Sequence, residues 1–127
     1  MKKSIILFLA TIAFVSCTKK GAAPEENIAF ELSSGSAIVN ASNSFSFQIT
    51  LKSKVPDSGV KIDVSAVEEL AGTAVTPQPP SLTSTSATIS SGVQNLPRQK
   101  WVVTSVKVSS VATPSNTATK TFRIVYK

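Results

Sequence analysis

Carboxylates are the main side chains in this sequence that are suited to acid–base chemistry. The chain contains no histidine, so it lacks the usual general base, a Ser-His-Asp triad and the commonest transition-metal ligand. Glycoside hydrolysis needs two carboxyl groups about 5–9.5 Å apart across a sugar, normally within a cleft. No spacing that predicts such a pair is found among Asp57, Asp63 and the adjacent Glu68 and Glu69. These residues also supply few oxygen ligands for a calcium ion. We therefore expect no catalytic residues, no cofactor and no metal site.

Other chemistry-bearing motifs are missing as well. Serine is abundant, but none stands in a Gly-x-Ser-x-Gly motif, and the five glycines form no phosphate-binding loop. The formal net charge is +6, yet the basic residues are scattered, whereas a nucleic-acid-binding surface clusters them or interleaves them with stacking aromatics. The composition predicts a solvated surface and no nucleic-acid partner.

Trp101 is the residue best suited to binding a ligand. Exposed aromatic rings stack on sugars in many carbohydrate-binding modules, and Arg98 and Lys100 directly precede this tryptophan. These three residues are our candidate ligand-binding site. Alternatively, Trp101 and Tyr126 pack in the core or at a corner of the fold, since Trp101 opens a predicted strand and Tyr126 is in phase with Phe122.

Cys17 is the only thiol of the chain and follows a short apolar stretch. Met1-Lys2-Lys3 is positively charged, and residues 4–15 are almost all apolar or small. Such a stretch is too short to cross ~30 Å of hydrocarbon, which needs about twenty residues. Its length is typical of a signal peptide, and Ser16 is a small residue of the kind found at cleavage sites.

Residues 14–17 resemble the bacterial lipobox, which is roughly Leu, then Ala/Ser/Thr/Val/Ile, then Gly/Ala/Ser, then Cys. Val15, Ser16 and Cys17 match this pattern, and Phe14 departs from the usual Leu. The resemblance implies that Cys17 receives a diacylglycerol, that residues 1–16 are removed and that the new amine carries a fatty acyl chain such as palmitate. Two or three chains would anchor the protein stably in a membrane. The alternative is an ordinary secretory signal with an incidental cysteine.

The junction Ser-Cys-Thr-Lys-Lys is similar to that of lipoproteins from Bacteroidetes. Residue 18 is Thr rather than the Asp that retains some lipoproteins in the inner membrane, which implies the outer membrane. Surface export in that group uses acidic residues close behind the cysteine. Here Lys19 and Lys20 come first, so a periplasmic and a surface-facing domain both remain open.

The chain divides into three segments. Cleavage before Cys17 would leave 111 of the 127 residues. This length is enough for one domain that folds without disulfide bonds or a structural metal. Residues 17–26, which lack apolar periodicity, are predicted to be the lipidated cysteine and a flexible tether with an r.m.s. length of ~17 Å. Residues 27–127 are the predicted domain.

Alternation of apolar and polar residues predicts β-strands along residues 27–127. The clearest strand has Phe45, Phe47, Ile49 and Leu51 on one face, as a sheet buried on one side requires. The other predicted strands are 28–32 with 37–39 as a short continuation, 60–66, an edge strand at 73–76, 83–90 with Ala87 and Ile89 inward, 101–108 with Val102, Val106 and Val108 inward, and a last strand through Phe122, Ile124 and Tyr126. Turns are predicted at 55–59, between Ser91-Gly92 and Leu96-Pro97, and at 113–116. About seven short strands without a helix predict an all-β sandwich.

The second half of the predicted domain contains a recognisable order of residues. Leu96 and Pro97 precede Trp101, which opens a strand, and a turn and the final strand follow. This order resembles the back half of fibronectin type III and related immunoglobulin-like domains, with Trp101 where Tyr is commoner. The resemblance implies a single immunoglobulin-like β-sandwich, whose commonest role is as a spacer or binding module. The fold by itself fixes no function.

These observations predict a lipid-anchored protein of the cell envelope without enzymatic activity. The first hypothesis is a structural or protein-interaction module that docks on another envelope protein. The second is a carbohydrate-binding accessory lipoprotein of a polysaccharide-uptake system, with Trp101, Arg98 and Lys100 as its binding residues.

Overall fold

A computed structural model describes residues 25–127, and eight β-strands form its framework. The strands are β1 (Phe30–Leu32), β2 (Ala37–Asn40), β3 (Phe45–Leu51), β4 (Val60–Glu68), β5 (Leu82–Ser84), β6 (Thr88–Val93), β7 (Trp101–Ser110) and β8 (Thr117–Tyr126). This range contains no helix long and apolar enough to span a membrane. The predicted signal peptide, Cys17 and the tether up to residue 24 lie outside the described residues.

The strands form two sheets with a shared core. One sheet has the order β1-β3-β6 and the other the order β2-β8-β7-β4-β5. All neighbouring strands are antiparallel except β2, which runs parallel to β8. Buried apolar residues of both sheets form one cluster, in which the Phe47 ring meets the Phe122 ring edge to face at a centroid distance of 5.4 Å. The all-β prediction is confirmed.

Strand β3 has the predicted phase. Phe47, Ile49 and Leu51 are buried, Phe45 is half-buried against the same core, and the intervening Ser46 and Gln48 are exposed. Because side chains alternate with a period of two, a slip of one residue would expose all four apolar side chains. The inward Val102, Val106 and Val108 of β7 are also buried, as predicted.

Two predicted strands are each divided between the sheets, and the predicted edge strand at 73–76 is only an isolated bridge, so there are eight strands rather than about seven. Residues 37–40 do not continue β1; they cross to the other sheet and pair with β8. The predicted strand 83–90 is likewise two elements, since β5 pairs with β4 in one sheet and β6 pairs with β3 in the other. Ile89 is buried as predicted, whereas Ala87 is exposed in the connection. A run of alternating residues does not reveal where the chain changes sheets.

Two further local predictions are corrected. Residues 73–76 form a single bridge, between Ala74 and Val67, rather than a strand. Ser91 and Gly92 continue β6, opposite Phe47 and Ser46, so the turn begins only after Val93. The serines and glycine suggested a turn, but pairing with β3 keeps this segment extended.

The turn at 55–59 is as predicted. Gly59 has a φ of +87°, and a Cβ there would lie 2.7 Å from the carbonyl oxygen of Ser84. Glycine is therefore required both by the backbone conformation and by the close approach of the neighbouring loop.

The chain enters and leaves the domain at opposite ends. The Ile28 amide donates to the side-chain oxygen of Asn116 in the β7–β8 turn. At the other end of β8, the Lys127 amide donates to the Asn40 carbonyl. Glu25, in the predicted tether, reaches the same end as Ile28, where its carboxylate accepts hydrogen bonds from Ser110 and Asn116.

Candidate interaction surface around Trp101

The outer face of the five-stranded sheet carries an apolar area at the end where the chain leaves the domain. The register places Val39, Val125 and Trp101 in one row across β2, β8 and β7. The adjacent row contains Ala37, Arg123, Val103 and Val67. We call the six apolar residues of these rows the Trp101 patch: Ala37, Val39, Val67, Trp101, Val103 and Val125.

Much of the Trp101 patch is open to solvent. Val39 is 66% exposed and Val67 is 39% exposed, whereas Val125 between its neighbours is buried. Trp101 is half-buried on this outer face, outside the core cluster. Leu70, at the end of β4 next to this area, is 99% exposed. Exposed apolar side chains that are grouped on one sheet face mark interaction sites in soluble domains more often than scattered single residues do.

An ion pair crosses the Trp101 ring. The guanidinium carbon of Arg123 lies 4.3 Å from the ring centroid, a cation–π distance. The same guanidinium donates two hydrogen bonds to the Glu69 carboxylate, Nε to Oε1 and Nη2 to Oε2, the second at 2.9 Å. These hydrogen bonds lower the pKa of Glu69 and raise that of Arg123. One face of the tryptophan is therefore covered by a fixed positive group.

Arg98 and Lys100, the predicted companions of Trp101, each have a different partner. The Arg98 guanidinium lies over the Tyr126 ring, 5.4 Å from its centroid, and the Lys100 ammonium is 3.3 Å from a Glu68 carboxylate oxygen. Tyr126 is half-buried against the core, as its phase predicts. The cation over Trp101 is instead Arg123, which sequence reasoning missed because pairing of β8 with β7 brings it there from a distant position. Ligand binding by Trp101, Arg98 and Lys100 stays a prediction.

No protein-family model, no curated protein and no solved structure matches this chain.

Three of the four acidic residues considered for catalysis have separate partners. Asp63 accepts a hydrogen bond from Ser81, Glu68 pairs with Lys100 and Glu69 pairs with Arg123. Residues 25–127 contain no group of three or more His, Cys, Asp or Glu side chains placed to hold a metal ion. The described geometry around Trp101 is thus an apolar surface bordered by paired charged side chains.

Proposed function

We propose that this protein is a lipid-anchored, non-catalytic module of the cell envelope that binds another protein through the Trp101 patch. The proposal combines the sequence-based anchor at Cys17 with the position of the patch. The single observation that carries it is that the chain enters the domain at one end and the patch lies at the other.

The strand order supports an immunoglobulin-like sandwich. The two sheets, with the orders β1-β3-β6 and β2-β8-β7-β4-β5, correspond to the two sheets of that architecture. The first two strands are divided between them, since β1 is in one sheet and β2 in the other. Such domains usually serve as spacers or binding modules and carry their binding surfaces on loops or sheet faces.

The anchor and the patch lie at opposite ends of the domain under this proposal. Asn116 and Ser110 bind Glu25 at the end where the chain enters, so a lipid on Cys17 would hold that end towards the membrane. Trp101 and Val39 are at the far end of their strands. The Trp101 patch would therefore lie at the end of the domain far from the bilayer, where another envelope protein can reach it.

The charges around the patch indicate the chemistry of the partner. Three ion pairs form among residues 25–127, and none includes Arg98 or Lys127. Both basic residues lie at this end of the domain, since Gln99 and Lys127 bond to the strand ends of β8 and β2. A partner with an apolar centre and an acidic rim would complement this surface.

Site-specific crosslinking of the full-length protein in its own cells tests this function. We expect a photo-crosslinking amino acid at Val39 or Leu70 to capture one envelope protein reproducibly. The same amino acid at Lys61, which is on the outer face at the opposite end of the sheet, should not capture it. Replacing Val39 by Glu should abolish capture from position 70 without altering the fold. Equal capture from positions 61 and 70, or capture unaffected by Val39→Glu, would contradict the proposal.

The anchor needs a separate test. Cys17→Ser should convert the protein from a form that partitions into detergent to one that remains in the aqueous phase. Persistent partitioning would remove the lipid anchor from the proposal while leaving the protein-binding surface to be judged by crosslinking.

A further inference from the structure

Strand β2 forms one edge of the five-stranded sheet and directs backbone groups away from it. The carbonyls of Ser36 and Asn40 accept hydrogen bonds from β8 and from the residue that follows it. Because the N–H and C=O of alternate residues point to the same side of a strand, those of Ala37 and Val39 point away from β8. No strand of the described range lies on that side. The backbone groups of these two residues can therefore pair with a further strand.

The edge of β6, in the other sheet, differs because side chains cap it. The Ala87 carbonyl accepts a hydrogen bond from β3, so the alternate residues Thr88 and Gln94 direct their backbone groups to the open side. The side-chain amide of Gln78 bonds to both the N–H and the C=O of Gln94. The Ser86 hydroxyl bonds to both groups of Thr88. Both caps occupy positions that an added strand would need.

The two remaining edges also carry features that discourage pairing. The central residue of β1, Glu31, forms an ion pair with Lys52, and β5 begins two residues after Pro80. Charged side chains and prolines protect sheet edges from added strands. Strand β2 contains neither, and its Val39 is 66% exposed. Within the described domain, β2 is thus the edge best suited to pairing with another chain.

The side chains of β2 favour an apolar partner strand. Ala37 and Val39 are exposed on the outer face, where they belong to the Trp101 patch. Ile38 is half-buried on the inner face and packs against the core. A strand added beside β2 would therefore have apolar neighbours on both of its faces. On the outer face it would continue the rows of the patch across the edge of the sheet.

Basic residues at the end of β2 favour an acidic residue in the same partner segment. The Lys127 amide donates to the Asn40 carbonyl, which places Lys127 beside the last residue of β2. Arg98 forms a bridge with Tyr126 at the end of the neighbouring β8. None of the ion pairs found among residues 25–127 includes Arg98 or Lys127. An acidic side chain just past β2 would complement their charge.

A second copy of this chain fits the edge less well. Two β2 strands related by a twofold axis would run antiparallel. Since β2 is parallel to β8, the chain would enter the second copy at the far end of the first. Ten residues of β8 span about 30 Å, which exceeds the ~17 Å predicted for the tether. The lipid anchors of two upright copies would therefore not lie in one membrane.

We propose that the protein partner binds by adding an extended strand to β2, a known mode of peptide recognition. The segment pairs with the backbone of Ala37 and Val39 and places apolar side chains beside Val39 and Ile38. It carries an acidic residue next to Lys127. This inference rests on the protein-binding function proposed above and specifies the form of partner that the Trp101 patch takes.

Hydrogen exchange, measured by NMR on the isotope-labelled full-length protein in detergent, tests whether the edge is open. The amides of Ala37 and Val39 should exchange rapidly, whereas those of Ile38 and Asn40, which face β8, should be protected. Protection of Ala37 and Val39 that increases with protein concentration would show a second copy on the edge. Protection independent of concentration would show that the chain covers this edge itself. Either result would overturn the proposal.

Proline variants test the pairing in cells. Proline lacks the N–H group and is tolerated in an edge strand where that group faces outwards. Ala37→Pro should therefore keep the fold and lower the capture of the partner from position 70 about tenfold, because a hydrogen bond to the added strand is lost. Ser90→Pro is the control. It removes an N–H from the open side of β6, where Ser90 is exposed and in phase with Thr88, and should leave capture unchanged.

The outcomes separate this proposal from the function on which it rests. Undiminished capture by the Ala37→Pro protein, or an equal loss in both proline variants, would contradict strand addition and leave the protein-binding function standing. Absence of capture from position 70 without any proline substitution would contradict that function itself. In the purified complex, exchange of the Ala37 and Val39 amides should slow at least about tenfold. Unchanged exchange there would overturn the proposal even if Ala37→Pro does not fold.

Discussion

The guanidinium of Arg123 covers one face of the Trp101 ring, with 4.3 Å between its central carbon and the ring centroid. Glu69 holds the guanidinium in that position through two hydrogen bonds. The three residues come from β7, β8 and the segment after β4, so the arrangement exists only when these strands are paired. A ligand or partner that stacks on this ring face must displace Arg123 or contact its guanidinium.

Removal of Arg123 should expose Trp101. Because Trp101 is the only tryptophan, its fluorescence reports this one position. We expect Arg123→Ala to shift the emission to longer wavelength and to increase quenching by acrylamide. Arg98→Ala is the control, since Arg98 lies over Tyr126 instead. Similar changes in both variants would show that Arg123 does not specifically cover the ring.

Lowering the pH should also free the Arg123 guanidinium from its position over the Trp101 ring. The hydrogen bond from Arg123 lowers the pKa of Glu69 in the folded protein. The hydrogen bond between Arg123 and the Glu69 carboxylate therefore stabilises the folded protein fully above the ordinary glutamate pKa of about 4.3. This stabilisation is lost as the pH falls through the lowered pKa of Glu69. We expect quenching of Trp101 to increase in that acidic range.

Two glutamate variants separate this transition from other titrations. Glu69→Gln should remove the acidic change in Trp101 quenching, because the titrating partner of Arg123 is gone. The pKa of Glu25 is also lowered, by hydrogen bonds from Asn116 and Ser110, but Glu25 lies at the other end of the domain. Glu25→Gln should therefore retain the change, and its loss in this variant would refute the assignment to Glu69.

Thr104 is a buried threonine whose hydroxyl contributes nothing to the fold. It is fully buried on the inner face of β7, opposite Ala66 and Phe122, and its Oγ1 has no partner among the described residues. Thr104→Val preserves the shape and removes an unsatisfied polar atom. We expect the free energy of unfolding to rise by about 1 kcal/mol.

Thr117 provides the matched comparison for denaturant unfolding of the Thr104 variant. Its hydroxyl donates to the Val108 carbonyl and lies 3.0 Å from the Ser109 hydroxyl. Thr117→Val should therefore lower stability, by about 0.5–1.5 kcal/mol. A destabilised Thr104→Val protein would mean that the Thr104 hydroxyl has a partner in solution.

The sequence predicts the strands with strong alternation and misses the points where the chain changes sheets. The phase of β3 is evident because four large apolar residues alternate with polar ones. The division of residues 82–93 between β5 and β6 is not evident, since exposed serines and threonines dominate both segments. Which sheet such a segment joins is decided by pairing with distant strands rather than by its own composition.

The candidate surface shows the same limit. Trp101 is conspicuous from its residue type, but its nearest charged neighbours in sequence are not those that touch its ring face. Arg123 and Glu69 are 54 positions apart, and only the register of β7 with β8 brings Arg123 to the tryptophan. A prediction from local spacing alone could not find this pair.

Phe47 should be among the most costly residues to truncate. It is 3% exposed and its ring meets that of Phe122, so Phe47→Ala removes a large part of the contact between the sheets. We expect a loss of about 3–5 kcal/mol in denaturant unfolding. The exposed neighbour Gln48 should tolerate alanine within about 0.5 kcal/mol. Similar midpoints for the two variants would disprove the assigned faces of β3.

Asn116 determines how firmly the start of the domain is attached. Its Oδ1 accepts from the Ile28 amide, while its Nδ2 donates to the Glu25 carboxylate and to the Glu26 carbonyl. Asn116→Ala should accelerate hydrogen exchange of the Ile28 amide by about threefold to tenfold, because one hydrogen bond of ordinary strength is lost. Asn40→Ala, which removes side-chain hydrogen bonds at the opposite end, should leave that amide unchanged. If the Ile28 amide is equally protected in both variants, the first residues are held by burial of Ile28 itself rather than by Asn116.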